Sequence, residues 1–237
     1  MKIIRYDSVD STNKTAISLT EQGEKEGIVV IAKTQTAGRG RMGRAWISCP
    51  GNLFASYIIN GKTVRENPEL SFLVGVSVIE SIEHLVPRIK CLCKWPNDIM
   101  LNDRKICGIL IEAAANDCVV AGIGVNLASH PETASYPTAS IFENTGILIS
   151  PSDMCECLSE YLFKNLAIWR NDGFKKIRNK WLSRAYRLKE TISVKQFDKT
   201  LTGIFKTISE SGELIMENTE NHKEIKINVG DVIYEKK

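Results

Sequence analysis

The sequence predicts an α+β protein: a mixed, mostly antiparallel sheet backed by helices, followed by a small β unit. Three observations carry this. Residues 89–127 read as short strands joined by turns, an antiparallel pattern. Two segments, residues 69–85 and the stretch from Pro151 onward, place apolar residues at helical spacing. Beyond about Arg187 helical periodicity stops. Short strands with turns at Ser211-Gly212, residues 218–221 and Val229-Gly230 replace it, the texture of a small separate β-barrel of roughly fifty residues. The expected units are residues 1–186 and 187–237.

Taken in order, residues 2–6 read as a strand. Asp10-Ser-Thr-Asn13 leads into a short helix over 14–21. Ser11, Thr12 and Asn13 are all good N-caps, so capping explains them as readily as ligand binding does. Gly27-Ile-Val-Val-Ile-Ala32 is apolar and β-branched, the mark of a buried strand, and it delivers Thr34 and Gln35 into the loop that follows. Pro50-Gly51 makes a turn, and residues 52–59 form the next strand. Leu70, Leu73, Val74, Val78, Ile82 and Leu85 share one face of a helix that Pro87 stops. Residues 89–95 are a strand, broken at Pro96-Asn97-Asp98 and resumed over 99–101, with a hairpin turn at Asn102-Asp103. Residues 105–112 and 119–127 are strands as well. Residues 128–150, with Pro131 and Pro137, read as loop. Pro151-Ser-Asp153 opens a long helix facing inward through Cys157, Leu158, Tyr161, Leu162, Asn165 and Leu166. A further helix over 174–186 carries Lys175, Lys176, Arg178, Lys180 and Arg184 on one side, read as a solvated face.

The chain has 237 residues, 43% of them hydrophobic, enough for a sizeable core. A net charge of +3 is too small to argue for nucleic acid. The N-terminus starts directly with strand-like sequence and shows no signal peptide, and no apolar stretch is long enough to span a membrane. A cytoplasmic protein is expected. The seven cysteines include two C-x-C pairs, Cys91/Cys93 and Cys155/Cys157, rather than paired C-x-x-C knuckles. Reduced buried thiols are therefore expected, with no structural zinc.

The most unusual stretch is Thr36-Ala-Gly-Arg-Gly-Arg-Met-Gly-Arg-Ala-Trp46. Gly38, Gly40 and Gly43 permit φ > 0 and close approach to a ligand. Arg39, Arg41 and Arg44 can fork onto carboxylate or phosphate oxygens. Trp46 offers a flat face for a purine, or for the core. The segment has little to bury, so it should be mobile until an anion gathers its arginines. By itself it also fits a solvated loop or an RNA-binding segment. Balanced overall charge and the lack of interleaved aromatics beyond Trp46 argue against RNA.

Four further stretches stand with it: Ser11-Thr12-Asn13, Lys94-Trp-Pro-Asn-Asp98, Lys105-Ile-Cys-Gly-Ile-Leu-Ile-Glu112 and Gly122-Ile-Gly-Val-Asn126. Together, and in this order along the whole chain, they closely resemble the biotin protein ligases. The resemblance implies a catalytic domain like that of class II synthetases, with an SH3-like barrel as the C-terminal unit. It implies activation of biotin by ATP to biotinyl-5′-AMP, then transfer to a lysine of the biotin carboxyl carrier protein of a carboxylase. Biotin and ATP are the implied substrates, with Mg²⁺ as cofactor. Ser11, Thr12, Asn13, Gln35, Arg39, Gly40, Arg41, Lys105 and Gly108 would surround biotin. Arg39, Arg41, Arg44, Trp46, Asn97, Lys105 and Asn126 would hold the nucleotide. Lys105, Arg41 and Asp98 would carry the chemistry, with Asp98 near the metal or orienting the acceptor amine.

These residue types suit the reaction. A carboxylate attacks the α-phosphorus, so two anions must be brought together, and fixed cations offset their repulsion. The mixed anhydride must then be kept from water, which a closing loop does. Met42 departs from the further arginine that many family members carry there. About ten residues precede Ser11, too few for the DNA-binding domain of some members, so no specific DNA partner is expected. A monomer or homodimer fits equally. The rival within the fold is a lipoate or octanoate ligase or transferase, which would lack an arginine–glycine loop of this form.

Overall fold

The structure is a computed structural model and describes residues 1–61, 69–134, 136–197 and 199–233. A seven-stranded sheet is built from β1 (Lys2–Val9), β2 (Ile28–Gln35), β3 (Leu53–Asn60), β4 (Leu92–Lys94), β5 (Asp98–Leu101), β6 (Arg104–Ala113) and β7 (Cys118–Val125). Its order is β1-β2-β3-β7-β6-β5-β4. Only β1 and β2 run parallel, which they manage because α1 (Thr12–Glu21) forms the crossover. All other neighbours are antiparallel. Asn102 and Asp103 turn the β5–β6 hairpin with φ of 50° and 61°, the conformation that suits two-residue hairpin loops.

Strand alternation sends every second side chain to one face. On β7, Val119, Ala121, Ile123 and Val125 join the main core, while Cys118 and Val120 pack in a smaller core under Ala16 of α1. The next residues along that second row are Gly122 and Gly124. Apolar side chains thus stop where α1 begins, and the sheet surface beyond is nearly bare. The site lies on that surface.

Three helices, α2 (Glu69–Leu85), α4 (Pro151–Asp172) and α5 (Phe174–Leu182), cover the main-core face. α2 is buried nearly all round, from Leu70 to Ile82. The serine that precedes Pro151 caps α4, its hydroxyl accepting from the Asp153 amide at 3.0 Å. α5 is shorter than its periodicity suggests. Lys175 and Lys176 are exposed as expected, but Arg178, Lys180 and Arg184 tie elements together. Arg178 donates to the Ile208 carbonyl (2.7 Å), Lys180 pairs with Glu80 (2.9 Å) and Arg184 with Glu83 (3.0 Å). The expected loop 128–150 contains a short helix, α3 (Ile141–Thr145), capped by Ser140.

The C-terminal strands β8 (Thr191–Gln196), β9 (Lys199–Ile208), β10 (Leu214–Asn218), β11 (Glu224–Ile227) and β12 (Asp231–Val232) form a sheet ordered β11-β10-β9-β8-β12. Among the described residues the expected barrel is not closed, and β11 and β12 are the two ends of the sheet order. Residues 198 and 234–237 of that expected unit lie outside the described residues. The sheet's apolar face, including Val194, Phe205 and Met216, continues the main core rather than forming its own. Trp181 of α5 joins the two, with rings 5.1 Å from Phe72 and 6.4 Å from Phe205.

All seven cysteines are free of disulfides; six are buried and Cys49 is half-buried. No helix among the described residues is long and apolar enough to cross a membrane.

Candidate active site

The glycine row decides what can sit on the sheet. A Cβ on Gly122 would collide with the Asn13 side chain, and one on Gly124 with the Trp46 indole. A Cβ on Gly108, the cross-strand partner of Gly124, would come within 2.7 Å of the same indole. Glycine on these strands is therefore a requirement of close approach.

The start of α1 supplies the polar end of the floor. Ser11 occupies the N-cap with extended backbone, but its hydroxyl makes no cap hydrogen bond. The Thr12 amide and hydroxyl both donate to Gln35 Oε1, at 2.8 and 3.1 Å. Ser56 Oγ lies 2.8 Å from Thr12 Oγ1 and 2.6 Å from Asn13 Oδ1. Asn13 Nδ2 donates to Glu112 Oε2 at 2.8 Å. All three residues at the helix start are buried. Capping does not explain Thr12 and Asn13, whose side chains meet Gln35, Ser56 and Glu112 on three different strands. Fixed donors and acceptors of this kind suit a neutral polar head group.

At the other end, Lys105 on β6 meets Asp98 on β5 at 2.6 Å. Burial alone would lower the Lys105 pKa, but Asp98 and Tyr136 more than offset it and hold the ammonium above its ordinary value. Lys105 Nζ also stands 4.9 Å from the Tyr136 ring and 5.6 Å from Trp46. A cation is thus fixed in a poorly solvated place, where its interaction with an anion is strongest.

The arginine loop closes over both ends. Arg39 reaches Glu112 at 3.0 Å. Arg41 donates to Asn97 Oδ1 at 3.2 Å, and Arg44 pairs with Asp231 at 3.0 Å. The loop is not the unpartnered segment its composition suggests: carboxylates from distant strands gather its arginines. Its glycines also differ from expectation. Gly43 takes φ of 73°, and Gly38 is needed because a Cβ there would sit 2.5 Å from the Trp46 carbonyl. Gly40 meets neither need. It is Met42 that takes a left-handed φ of 54°.

Trp46 separates two cavities. One holds Ser11, Thr12, Asn13, Gln35, Arg39, Gly40, Arg41, Asn97 and Gly108. The other, of about 270 Å³, is lined by Asn126, Tyr136, Thr138 and Ile47. Lys105, Arg44, Ala45, Trp46 and Tyr136 border both. Asn126 Oδ1 and Trp46 Nε1 are buried without a hydrogen-bond partner, the indole nitrogen lying against Gly124. The Trp46 and Tyr136 rings both line the second cavity, which suits a flat heterocyclic base.

Residues 6–126 match the model of the Biotin/lipoate A/B protein ligase family.

The chain belongs to this family.

It is 34% identical over 218 residues to a biotin–[acetyl-CoA-carboxylase] ligase of Paracoccus denitrificans, covering 87% of this chain and 90% of that one. It is 32% identical over 235 residues to the bifunctional ligase/repressor BirA of Bacillus subtilis (strain 168), covering 94% and 71%. Among solved structures, the biotin protein ligase of Aquifex aeolicus in complex with biotin and ATP superimposes with a TM-score of 0.87 at 28% identity, over 98% of this chain and 97% of that one.

Within this family member the residues singled out from sequence converge, Asp98 through Lys105 and Asn126 through the second cavity. Ser56, Tyr136 and Asp231 carry no signal in the sequence, and Glu112 closes a motif without an evident task there. Gly122 and Gly124 also stand in a motif that gave them no task, although glycine at two successive same-face positions of an apolar strand signals close approach.

Lys94 opens the Lys-Trp-Pro-Asn-Asp run and is only 4% exposed. Burial pushes its ammonium down to about 7, with Asp98 pulling the other way. In the unfolded chain a lysine titrates near ~10.4. The unfolded state therefore binds more protons between these values, and stability attributable to Lys94 rises with pH across that window. Urea unfolding at pH 7 and pH 9.5 checks this. Wild type should gain stability relative to Lys94→Met at the higher pH; a constant difference would contradict the burial argument.

Proposed function

We propose that the chain is an ATP-dependent biotin protein ligase. Biotin's ureido head group sits against Asn13, Thr12 and Gln35, and its carboxylate points toward Lys105. The adenine takes the cavity beside Trp46 and Asn126. One carboxylate oxygen attacks the α-phosphorus, the bond to the pyrophosphate leaving group breaks, and biotinyl-5′-AMP forms. Lys105 stabilises the charge that grows between the two anions. Arg39 and Arg41 cover the anhydride and exclude water. An acceptor lysine amine then attacks the acyl carbon, loses a proton, and AMP departs. Asp98 holds Lys105 charged in the first step and stands close enough to orient the amine in the second.

The observation that carries this reading is the Lys105–Asp98 pair at the junction of two cavities, one lined for a neutral polar head group and one for a base. The biotin–[acetyl-CoA-carboxylase] ligase named above supports a biotin carboxyl carrier protein as the acceptor. Among the described residues no three His, Cys, Asp or Glu side chains converge into a metal cage, and Asp98 is already ion-paired. A Mg²⁺ carried by the triphosphate needs few protein ligands, and no step above depends on a protein-held ion.

Incubation with biotin, ATP·Mg²⁺ and a biotin carboxyl carrier domain, followed by an avidin blot, tests the proposal. The carrier should be labelled, and a carrier with its acceptor lysine changed to arginine should not. Labelling by lipoate or octanoate in place of biotin would favour the rival chemistry.

Trp46 gives a finer test. Trp46→Ala should raise the KM for ATP about threefold to tenfold, as loss of one stacked aromatic contact does, and raise the KM for biotin less. Steady-state kinetics with each substrate varied would show it. An unchanged ATP KM would assign Trp46 to packing on the glycine floor alone.

A further inference from the structure

Asp231 lies on β12, an edge strand of the C-terminal sheet, 190 residues from Arg41 in sequence. Its carboxylate nevertheless holds the arginine loop. Oδ1 accepts from Arg41 Nη1 at 3.4 Å and from Arg44 Nη2 at 3.2 Å, while Oδ2 stands 3.0 Å from Arg44 Nη2. Arg41 and Arg44 are coupled within the loop as well: the Arg44 amide and Nε both donate to the Arg41 carbonyl at 3.2 Å. Arg39 is anchored separately, by Glu112. The loop is thus held by Glu112 through Arg39, by Asn97 through Arg41 and by Asp231 through Arg41 and Arg44, and this last carboxylate is supplied by the other sheet.

A guanidinium has a fixed set of donors, and carboxylate and phosphate compete for the same fork. Arg44 borders the nucleotide cavity and Arg41 the adjoining one. Any phosphate that recruits them must do so against Asp231. Building on the ligase reading above, we infer that Asp231 is a positioning residue for the adenylation step. Its carboxylate stands in for a phosphate, keeps Arg41 and Arg44 together over the site, and yields them to the nucleotide when it binds. The C-terminal sheet then senses occupancy of the nucleotide cavity through one ion-pair exchange. Asp231 does not touch the reacting atoms and acts through the two arginines.

Two consequences have opposite signs, which a general loss of structure would not produce. Without nucleotide, removal of the carboxylate frees the loop. With nucleotide, removal of a competing anion strengthens ATP binding. Asp231→Asn keeps the shape and removes the charge, and Asp231→Glu restores the charge. Limited trypsin digestion of the full chain without nucleotide, with cleavage after Arg41 and Arg44 followed by mass spectrometry, reads the first. Cleavage should be at least fivefold faster in Asp231→Asn than in wild type and close to wild type in Asp231→Glu. Biotin plus ATP should protect both variants. The KM for ATP in biotin-dependent pyrophosphate exchange reads the second, and should fall at least threefold in Asp231→Asn. Unchanged trypsin cleavage, or an ATP KM that falls less than threefold or rises, overturns the inference. The trypsin arm needs no turnover. Absence of exchange in wild type would instead count against the ligase reading and leave the digestion comparison to judge Asp231.

Discussion

Lys105→Ala should reduce formation of biotinyl-5′-AMP by about a hundredfold to several thousandfold, the loss that accompanies removal of a transition-state charge contact of ~3–5 kcal/mol. The reason lies in the placement of the ammonium. It is 8% exposed, at the border of both cavities, and held charged by Asp98 at 2.6 Å. Water cannot substitute for it there without reorganising. The substitution also leaves Asp98 in a half-closed site without its closest countercharge, which costs stability of its own. The double variant Lys105→Met/Asp98→Asn removes both charges and separates the effects. It should fold with near-wild-type stability and remain as inactive as Lys105→Ala. Rapid-quench measurement of adenylate in a single turnover is the direct readout. A rate within threefold of wild type in Lys105→Ala would remove Lys105 from the chemistry.

The second large effect is expected at Gly122. An added methyl lands on the Asn13 amide, which has no room to retreat. Asn13 is held between Ser56 and Glu112, at 2.6 and 2.8 Å, and is 3% exposed. Gly122→Ala must therefore displace the group proposed to read biotin's head. We expect the KM for biotin to rise about a hundredfold, equivalent to ~2.7 kcal/mol, with the KM for ATP changed much less. Asn13→Ala should have a comparable effect. The two together should cost no more than Asn13→Ala alone, because both remove the same contact. Additive effects in this cycle, or a biotin KM unchanged by the methyl, would show that the head group lies elsewhere.

Elements with a strong local signal were legible in the sequence. The helix α2 follows from apolar spacing between Leu70 and Leu85 and from the stop at Pro87. The Asn102-Asp103 turn follows from residues that tolerate positive φ. Local signals fail where a distant partner decides. The cationic side of α5 looks solvated until Glu80, Glu83 and the Ile208 carbonyl are placed against it. The C-terminal strands look like a separate barrel because their short alternating pattern says nothing about which face meets α5 through Trp181 and Phe205.

The site divides in the same way. Its motifs are local runs and could be read as such. What holds them is not local. Glu112 lies 73 residues from Arg39 and Asp231 lies 187 from Arg44. A loop rich in arginine and glycine reads as mobile because its composition offers nothing to bury, and only the fold reveals the carboxylates that meet it. Ser56 carried no signal at all: a serine in an apolar strand is ordinary until Thr12 and Asn13 are found against it.

The central claim is that one site joins a biotin carboxylate to the α-phosphorus of ATP. Exchange of labelled pyrophosphate into ATP tests it without any acceptor protein, because the first step is reversible. Exchange should be absent without biotin, saturate as biotin is added, and not be supported by lipoate or octanoate at the same concentration. Exchange that proceeds equally without biotin, or that lipoate supports as well as biotin does, would contradict it.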